Sequence, residues 1–203
     1  SRARADGVDD VAFIQALAHQ YLDSAAEGVN QAYGIGYSNG GQLLIRVVLE
    51  TPLLSAAGLV SATMPASDNL LAAPDPDVAA IPMMLVHGTK DPIVPFQGGM
   101  ASALGRPRGL LRSFDDSVAF WAQRAGITTQ PQVQSIPPDG PHRAGGQRLA
   151  FTAEGHSPVI AYAMTDGGHL IPNRRQAGSF LMGRGNHSID TMTEFTRLVD
   201  TNV

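Results

Sequence analysis

The sequence contains no cysteine among its 203 residues. This absence excludes disulfide bonds, thiolate metal ligands and a cysteine nucleophile, although it does not indicate a cellular compartment. Charged residues are also few, at 16% of the chain, and the formal net charge is only −4. Acidic and basic residues are mixed along the chain, so it has no basic stripe that could neutralise a row of phosphates. We therefore expect no nucleic-acid partner.

Long apolar runs are missing as well. No stretch of the sequence approaches the roughly 20 apolar residues that a membrane-spanning helix requires, so we expect no membrane partner. Hydrophobic residues nevertheless make up 43% of the chain, which is typical of a folded globular protein. The length fits one domain with a sizeable core. We therefore predict a single domain over residues 1–203.

Short apolar segments alternate with amphipathic segments along the chain. The segments with the character of strands are 31–37, 57–62, 83–87, 148–151 and 158–164. The segments with helical periodicity are 8–26, 42–49, 113–125 and 188–199. This alternation is typical of an α/β fold, with a mostly parallel sheet and helices on both of its faces. In such folds, functional residues lie on loops at the carboxyl ends of the strands.

One serine lies in the pattern G-x-S-x-G, in the run Gly36-Tyr37-Ser38-Asn39-Gly40. The pattern arises often by chance, but here it lies between a predicted strand and a predicted helix, which is the setting of a nucleophile elbow. Glycines avoid steric clashes at the two flanking positions. The helix N-terminus favours an oxyanion nearby, with the Asn39 N–H as a candidate donor. Ser38 is thus a candidate nucleophile; the alternative is a glycine-rich turn in which Ser38 caps the helix.

A carboxylate follows the predicted strand 83–87. Asp91 lies in the run His-Gly-Thr-Lys-Asp-Pro-Ile-Val-Pro over 87–95. A carboxylate at a strand end can accept a hydrogen bond from an imidazole, fix its tautomer and stabilise the imidazolium. The alternative is a surface turn, and Asp115 and Asp116 are rival acids, although both lie at the start of a predicted helix. Asp91 is therefore our candidate for the acid.

Six histidines compete for the role of the base. His169 follows Gly167 and Gly168 after the predicted strand 158–164, and glycines there allow the backbone to turn towards the serine. The order serine, aspartate, histidine along the chain is that of the α/β-hydrolases. We therefore predict His169 as the base. We expect structural roles for the remaining histidines, which are His19, His87, His142, His156 and His187.

At these positions the sequence resembles the poly(3-hydroxybutyrate) depolymerase and feruloyl esterase family of α/β-hydrolases. The residues that carry the resemblance are segments 8–14, 36–41, 87–95, 118–121 and 167–172. The resemblance implies an α/β-hydrolase fold and a secreted or periplasmic serine esterase. It also implies that Ser38, Asp91 and His169 form the triad. The implied substrates are small-molecule or polymeric esters, with short acyl, hydroxyalkanoate or hydroxycinnamoyl groups.

The sequence departs from the family pattern in two places. Ile171 stands where members of the family carry a tryptophan, which leaves the substrate preference open. The family's first strands, with the loop that gives the second oxyanion donor, should precede Val8, so we predict a catalytic domain that is incomplete at its N-terminal end. Either a separate N-terminal segment completes the fold, or the chain is an impaired fragment, because losing one oxyanion donor costs about 10²–10³ in rate.

These observations predict a carboxylic ester hydrolase that works through an acyl-enzyme, with no metal and no cofactor. Tyr37 and Phe96 are candidates for bordering the substrate, and equally for the core. A serine peptidase of the prolyl-oligopeptidase type shares the order of the triad, but we find no segment for its large gating domain. The other alternative is a non-catalytic binding domain derived from an esterase.

Overall fold

The computed structural model describes residues 7–26, 28–70, 74–140, 143–175 and 178–201. Its helices are α1 (Asp10–Asp23), α2 (Asn39–Glu50), α3 (Phe114–Arg124) and α4 (Thr191–Asp200). Its strands are β1 (Tyr33–Tyr37), β2 (Ala56–Val60), β3 (Met83–Gly88), β4 (Gly99–Ala103), β5 (Arg106–Leu111), β6 (Gln132–Ile136), β7 (Gly146–Phe151), β8 (Val159–Met164), β9 (Gly178–Ser179) and β10 (Gly183–Arg184). Every helix and strand predicted from the sequence has a counterpart here, with ends that differ by a few residues.

The main sheet has six strands in the order β1-β2-β3-β8-β7-β6. The first four of these strands are parallel to one another. Strand β7 is antiparallel to both of its neighbours, β8 and β6. The sheet is therefore mixed with mostly parallel strands, which is compatible with the predicted α/β class. Strand β6 was not predicted, because it is a polar, largely exposed strand at the edge and lacks an apolar pattern.

Both faces of the sheet are covered by helices, as predicted. Along β3, Met83 and Leu85 face one side and Met84 and Val86 face the other, because successive side chains of a strand alternate. The first pair packs with side chains from α1, α2 and α3. The second pair packs with Phe195 and its neighbours on α4. Full burial on both faces explains why the central strands are continuous apolar runs.

Helix α1 and strand β1 carry apolar side chains that remain exposed. On α1, Val11 is buried and Ile14 packs against the core, but Phe13 and Tyr21 are 64% and 69% exposed. Within the residues that the structure describes, no strand pairs with the outer edge of β1. The helical periodicity of segment 8–26 thus predicted the helix, yet only part of its apolar surface is buried. None of the helices described has the length and apolar character needed to cross a bilayer.

A hairpin that the sequence did not predict projects beside the carboxyl end of the sheet. Strands β4 and β5 are joined by Leu104 and Gly105, both with positive φ, as in the tight turns that connect twisted hairpins. Backbone hydrogen bonds fix its base: Ser102 N–H donates to Ile93 O and Ala66 N–H donates to Leu110 O, at 2.9 and 3.0 Å. Leucine is an unusual residue for a positive φ, so the turn carried no recognisable sequence signal.

Candidate active site

Ser38 lies at the tip of a sharp turn between β1 and α2. Its backbone has φ 52° and ψ −119°, a conformation that residues with a side chain rarely adopt. The Ser38 N–H donates to Val60 O on β2 at 2.9 Å, and Ser38 O accepts from Gln42 N–H on α2 at 3.1 Å. The sheet and the helix therefore hold the strained residue from both sides. This is the geometry of a nucleophile elbow.

The glycines around Ser38 have different steric roles. A Cβ atom on Gly36 would lie 2.7 Å from Gly40 O, and one on Gly41 would lie 2.5 Å from the Cβ of Ala62. A Cβ on Gly40 would meet no atom within 4 Å. The prediction that both flanking glycines avoid clashes is thus right for Gly36 and wrong for Gly40. The second close approach of α2 to the sheet is at Gly41.

Three side chains from three strand ends meet at the carboxyl edge of the sheet. Ser38 follows β1, Asp91 follows β3 and His169 follows β8. The Oγ of Ser38 is 2.8 Å from Nε2 of His169, and Nδ1 of His169 is 2.7 Å from Oδ2 of Asp91. Asp91 and His169 are buried. The predicted serine, acid and base therefore form one continuous line of hydrogen bonds.

The carboxylate of Asp91 is fixed by its own loop. Its Oδ1 accepts the N–H groups of Ile93 and Val94, each at 2.8 Å. This leaves Oδ2 for the Nδ1–H of His169. Because a carboxylate can only accept hydrogen bonds when ionised, the His169 proton is placed on Nδ1. The lone pair of Nε2 then faces the Ser38 hydroxyl, which is the arrangement that a general base needs.

Backbone contacts hold His169 in place. Its N–H donates to Met182 O at 2.7 Å, and Gly168 N–H donates to Arg184 O at 2.8 Å, so the β9–β10 hairpin packs behind it. The Tyr37 hydroxyl donates to His169 O at 2.8 Å, and the two rings lie 5.1 Å apart. Burial, and then the charge of Asp91, raise the pKa of Tyr37. Tyr37, predicted to border the substrate, thus supports the histidine as a neutral hydrogen-bond donor.

A second buried imidazole lies beside the acid. His87 Nε2 donates to Val94 O at 2.9 Å and is 3.5 Å from Oδ2 of Asp91. Burial lowers the pKa of His87, although its hydrogen bond to Val94 O and the charge of Asp91 oppose this effect. The ring is therefore neutral. Phe96 lies 5.9 Å from His87 and stacks on Phe114 at 4.9 Å. Phe96 thus packs in the core and does not line the groove beside Ser38.

A groove of about 550 Å³ opens at Ser38, a volume within the usual range for small-molecule sites. Asn39, the first residue of α2, lines it, and its N–H has no acceptor within the helix because it is in the first turn. One wall of the groove is the β4–β5 hairpin. The lining residues are Ser38, Asn39, Gln42, Arg46, Pro65, Asn69, Leu70, Ile93, Val94, Ala101, Ala103, Arg108 and Leu111.

Comparison with known proteins finds a distant similarity. No family model matches the chain. A curated protein of Nocardia uniformis subsp. tsuyamanensis, "Putative esterase NocK", is 23% identical over 177 residues, which cover 83% of this chain and 50% of that protein. This chain is similar to that protein. It spans about half the length of the curated relative that it matches. The similarity does not identify a particular esterase subfamily.

The remaining candidates from the sequence lie away from Ser38 or outside the described residues. Asp115 and Asp116 are in the first turn of α3, as expected, and Asp116 accepts a hydrogen bond from the Ser113 hydroxyl. His19 is on the exposed side of α1, His156 bonds to Ala125 O and His187 bonds to Asn173 O. His142 lies outside the residues described.

A larger cleft lies between strands β6 to β8 and helix α4. Its volume is about 780 Å³, and none of the three aligned residues lines it. The Tyr162 hydroxyl donates to Oε2 of Glu194 there at 2.7 Å. Burial, and then this hydrogen bond, raise the pKa of Tyr162 to about 12. Since none of Ser38, Asp91 and His169 lines this cleft, we assign the chemistry to the groove at Ser38.

Proposed function

We propose that the protein is a serine esterase of the α/β-hydrolase type that acts through an acyl-enzyme. The observation that carries the proposal is the hydrogen-bonded line of Ser38, His169 and Asp91, with Ser38 on a strained strand-to-helix turn. A strained serine and a buried carboxylate–histidine pair both cost stability, and such strain clusters at functional sites. The similarity to an esterase supports the same reaction class.

The first half of the reaction acylates the serine. His169 Nε2 takes the proton of the Ser38 hydroxyl as Oγ attacks the carbonyl carbon of the ester. The oxygen that becomes negative is held by the Asn39 N–H at the N-terminus of α2. When the C–O bond of the ester breaks, His169 returns its proton to the leaving alcohol. The acyl group is then bonded to Ser38 Oγ.

The second half repeats these steps with water as the nucleophile. His169 takes a proton from water, the resulting oxygen attacks the acyl carbon, and the proton returns to Ser38 Oγ as the acid leaves. Asp91 stabilises the imidazolium in both halves. Because His87 is neutral, the charge of Asp91 has no cationic neighbour other than His169 in this cluster, and it is available in full when His169 becomes protonated.

The family resemblance is also the basis for proposing a substrate class and a cellular location. We propose small-molecule or polymeric esters with short acyl, hydroxyalkanoate or hydroxycinnamoyl groups, and a secreted or periplasmic location. We also propose that a further N-terminal segment completes the fold and supplies the second oxyanion donor. Two features support this segment: the unpaired outer edge of β1 among the described residues, and the exposed apolar side chains of α1, such as Phe13.

The test is labelling of the purified protein with a fluorophosphonate. We expect one adduct, mapped to Ser38, and none in the Ser38→Ala variant. Hydrolysis of p-nitrophenyl butyrate by that variant should fall by at least about 10³-fold in kcat. The matched control is Ser135→Ala on the exposed edge strand β6, which should keep both labelling and activity. Ester hydrolysis that survives Ser38→Ala would falsify the mechanism, and the intact mass before labelling shows whether another polypeptide accompanies the chain.

A further inference from the structure

The groove at Ser38 has an uneven distribution of charge. Among the residues whose side chains the structure describes, its charged lining residues are two arginines, Arg46 on α2 and Arg108 on β5, with no carboxylate. Arg46 is already engaged, since its Nε and Nη2 atoms donate to Glu50 at 2.7 and 2.9 Å. Within the described residues, Arg108 forms no ion pair. The groove therefore offers one uncompensated guanidinium on the hairpin side.

Several of the side chains that line this groove are apolar. Val94, Ala101 and Leu111 form a small buried cluster, and Ile93 packs against it. A substrate that occupies the groove from the serine to Arg108 can therefore contact hydrocarbon as well as the positive charge. A negatively charged group bound next to Ser38 would gain no favourable interaction from these apolar side chains. The fitting ligand has an ester at one end, a short apolar spacer and an anionic group at the other end.

Arg108 is carried by an element with a fixed base. In addition to the bonds from Ser102 and Ala66, Arg112 N–H donates to Met64 O at 2.8 Å, and Pro65 forms an isolated bridge with Leu111. The backbone of β5 is thereby held against the loop that follows β2. An arginine on such a strand can bind a planar anion with less loss of entropy than one on a free loop.

We propose that Arg108 is a specificity-determining residue and that the preferred substrates are esters that carry a carboxylate, either on the acyl chain or on the alcohol. This inference rests on the proposed function, because it assigns a ligand to the groove of the same serine. A guanidinium forms paired hydrogen bonds with a carboxylate. The neighbouring apolar walls partly exclude water once the substrate is bound, and this strengthens the ion pair.

The experiment compares three activated esters on one protein. They are p-nitrophenyl butyrate, which is neutral; p-nitrophenyl hydrogen glutarate, with the carboxylate on the acyl side; and 3-carboxy-4-nitrophenyl butyrate, with the carboxylate on the alcohol side. Each kcat/KM is divided by the rate constant of hydroxide hydrolysis of the same ester, so that only recognition by the enzyme is compared. One of the two anionic esters should exceed the neutral ester, and that ester identifies the side of the groove that Arg108 serves.

The variants then isolate the charge. In Arg108→Gln the ratio of anionic to neutral kcat/KM should fall about three- to tenfold, the range for a partly exposed charge pair, while Arg108→Lys should keep part of the preference. Arg106→Gln is the matched control: it removes an exposed arginine from the same strand that does not line the groove, and it should leave the ratio unchanged. In the wild-type protein the preference should shrink as ionic strength rises.

The outcomes separate this inference from the proposed function. If p-nitrophenyl butyrate is hydrolysed in a Ser38-dependent way but neither anionic ester is preferred, the assignment of Arg108 is wrong and the esterase proposal stands. The same conclusion follows if Arg108→Gln and Arg106→Gln lower the ratio equally, because a general surface charge would then explain the preference. If no ester is hydrolysed and no fluorophosphonate adduct forms, both proposals fail.

Discussion

At the scale of single residues, the site depends on how each polar atom of Asp91 is used. Oδ1 is occupied by two backbone N–H groups and Oδ2 by the imidazole. The carboxylate is thus oriented by its own loop before it orients His169. The fixed orientation of the Asp91 carboxylate matters because a general base is effective only when the correct nitrogen of the imidazole faces the nucleophile.

This division of roles makes Asp91→Asn an informative substitution. The amide oxygen can replace Oδ1 and keep the bonds from Ile93 and Val94, which turns the NH₂ group towards His169. Nδ1 must then accept, so the proton moves to Nε2 and faces Ser38 in the wrong tautomer. We expect kcat on p-nitrophenyl butyrate to fall about 10⁴-fold, with little change in the urea midpoint of unfolding.

The control for this substitution is Asp115→Asn, on the exposed first turn of α3, where kcat should stay within about twofold. A tenfold or smaller loss for Asp91→Asn would contradict the role given to Oδ2. Fluorophosphonate labelling should slow in parallel with kcat, because both reactions need the activated serine.

At the scale of elements, the turn between β1 and α2 depends on glycines that let the helix approach the sheet. Gly36 is under the first turn of α2, and Gly41 faces Ala62 after β2. The pattern G-x-S-x-G names Gly40 as the second small residue, yet Gly40 is exposed and has open space around it. The positions that need a glycine for steric reasons are therefore Gly36, inside the motif, and Gly41, just after it, but not Gly40.

Three alanine substitutions test this packing. Gly36→Ala and Gly41→Ala should each lower the free energy of unfolding by about 1–3 kcal/mol, because a backbone shift is needed to relieve the contact. Gly40→Ala should leave it unchanged or raise it by up to about 1 kcal/mol, since alanine is the better helix former. Urea unfolding followed by circular dichroism measures all three, and equal losses at Gly40 and Gly41 would show that our assignment of the close approach is wrong.

At the scale of the whole molecule, the two-sided core has a titratable group at its carboxyl edge. His87 is at the end of β3, almost fully buried, with Nε2 bonded to Val94 O. Its Nδ1 has no hydrogen-bond partner among the residues described. Burial makes the protonated ring unfavourable in the folded state, so the pKa of His87 is lowered there. The stability of the fold is therefore linked to pH through this residue.

The sign of this linkage follows from the lowered pKa. In the unfolded chain a histidine titrates near pH 6.5, whereas folded His87 stays neutral to lower pH. Below about pH 6.5 the unfolded state therefore binds more protons, and the free energy of unfolding falls as the pH falls, until the folded pKa is reached. The contribution to the slope is at most about 1.4 kcal/mol per pH unit.

The variant His87→Gln should remove this contribution, because an amide can still donate to Val94 O but does not titrate. Urea unfolding between pH 8 and pH 5 should give a shallower loss of stability for the variant than for the wild type, whatever its stability at pH 8. His19→Gln on the surface of α1 should leave the slope unchanged. Parallel pH curves for His87→Gln and the wild type would mean that His87 is not the group responsible.

Local patterns were sufficient for much of this architecture. The apolar runs at β3 and β8 and the helical periods of α2, α3 and α4 depend on neighbours a few residues apart, so they can be recognised in the sequence alone. The ends of the strands can be recognised in the same way. Because parallel strands end at the same edge of a sheet, Ser38, Asp91 and His169 are expected there. Hairpin β4–β5 lacked such a pattern because its turn has leucine at a positive φ.

The sequence by itself determined the order of the elements, the α/β class and the three residues that follow the strand ends. Only the tertiary structure decided that these residues hydrogen bond to one another and that Tyr37 supports His169 while Phe96 packs in the core. It also decided that helix α2 comes closest to Ala62 at Gly41 and that Arg108 lines the groove. The physical reason is common to all of these: each depends on contacts between segments far apart in the chain, such as Gly41 with Ala62 or His169 with Asp91, and a local pattern does not record them.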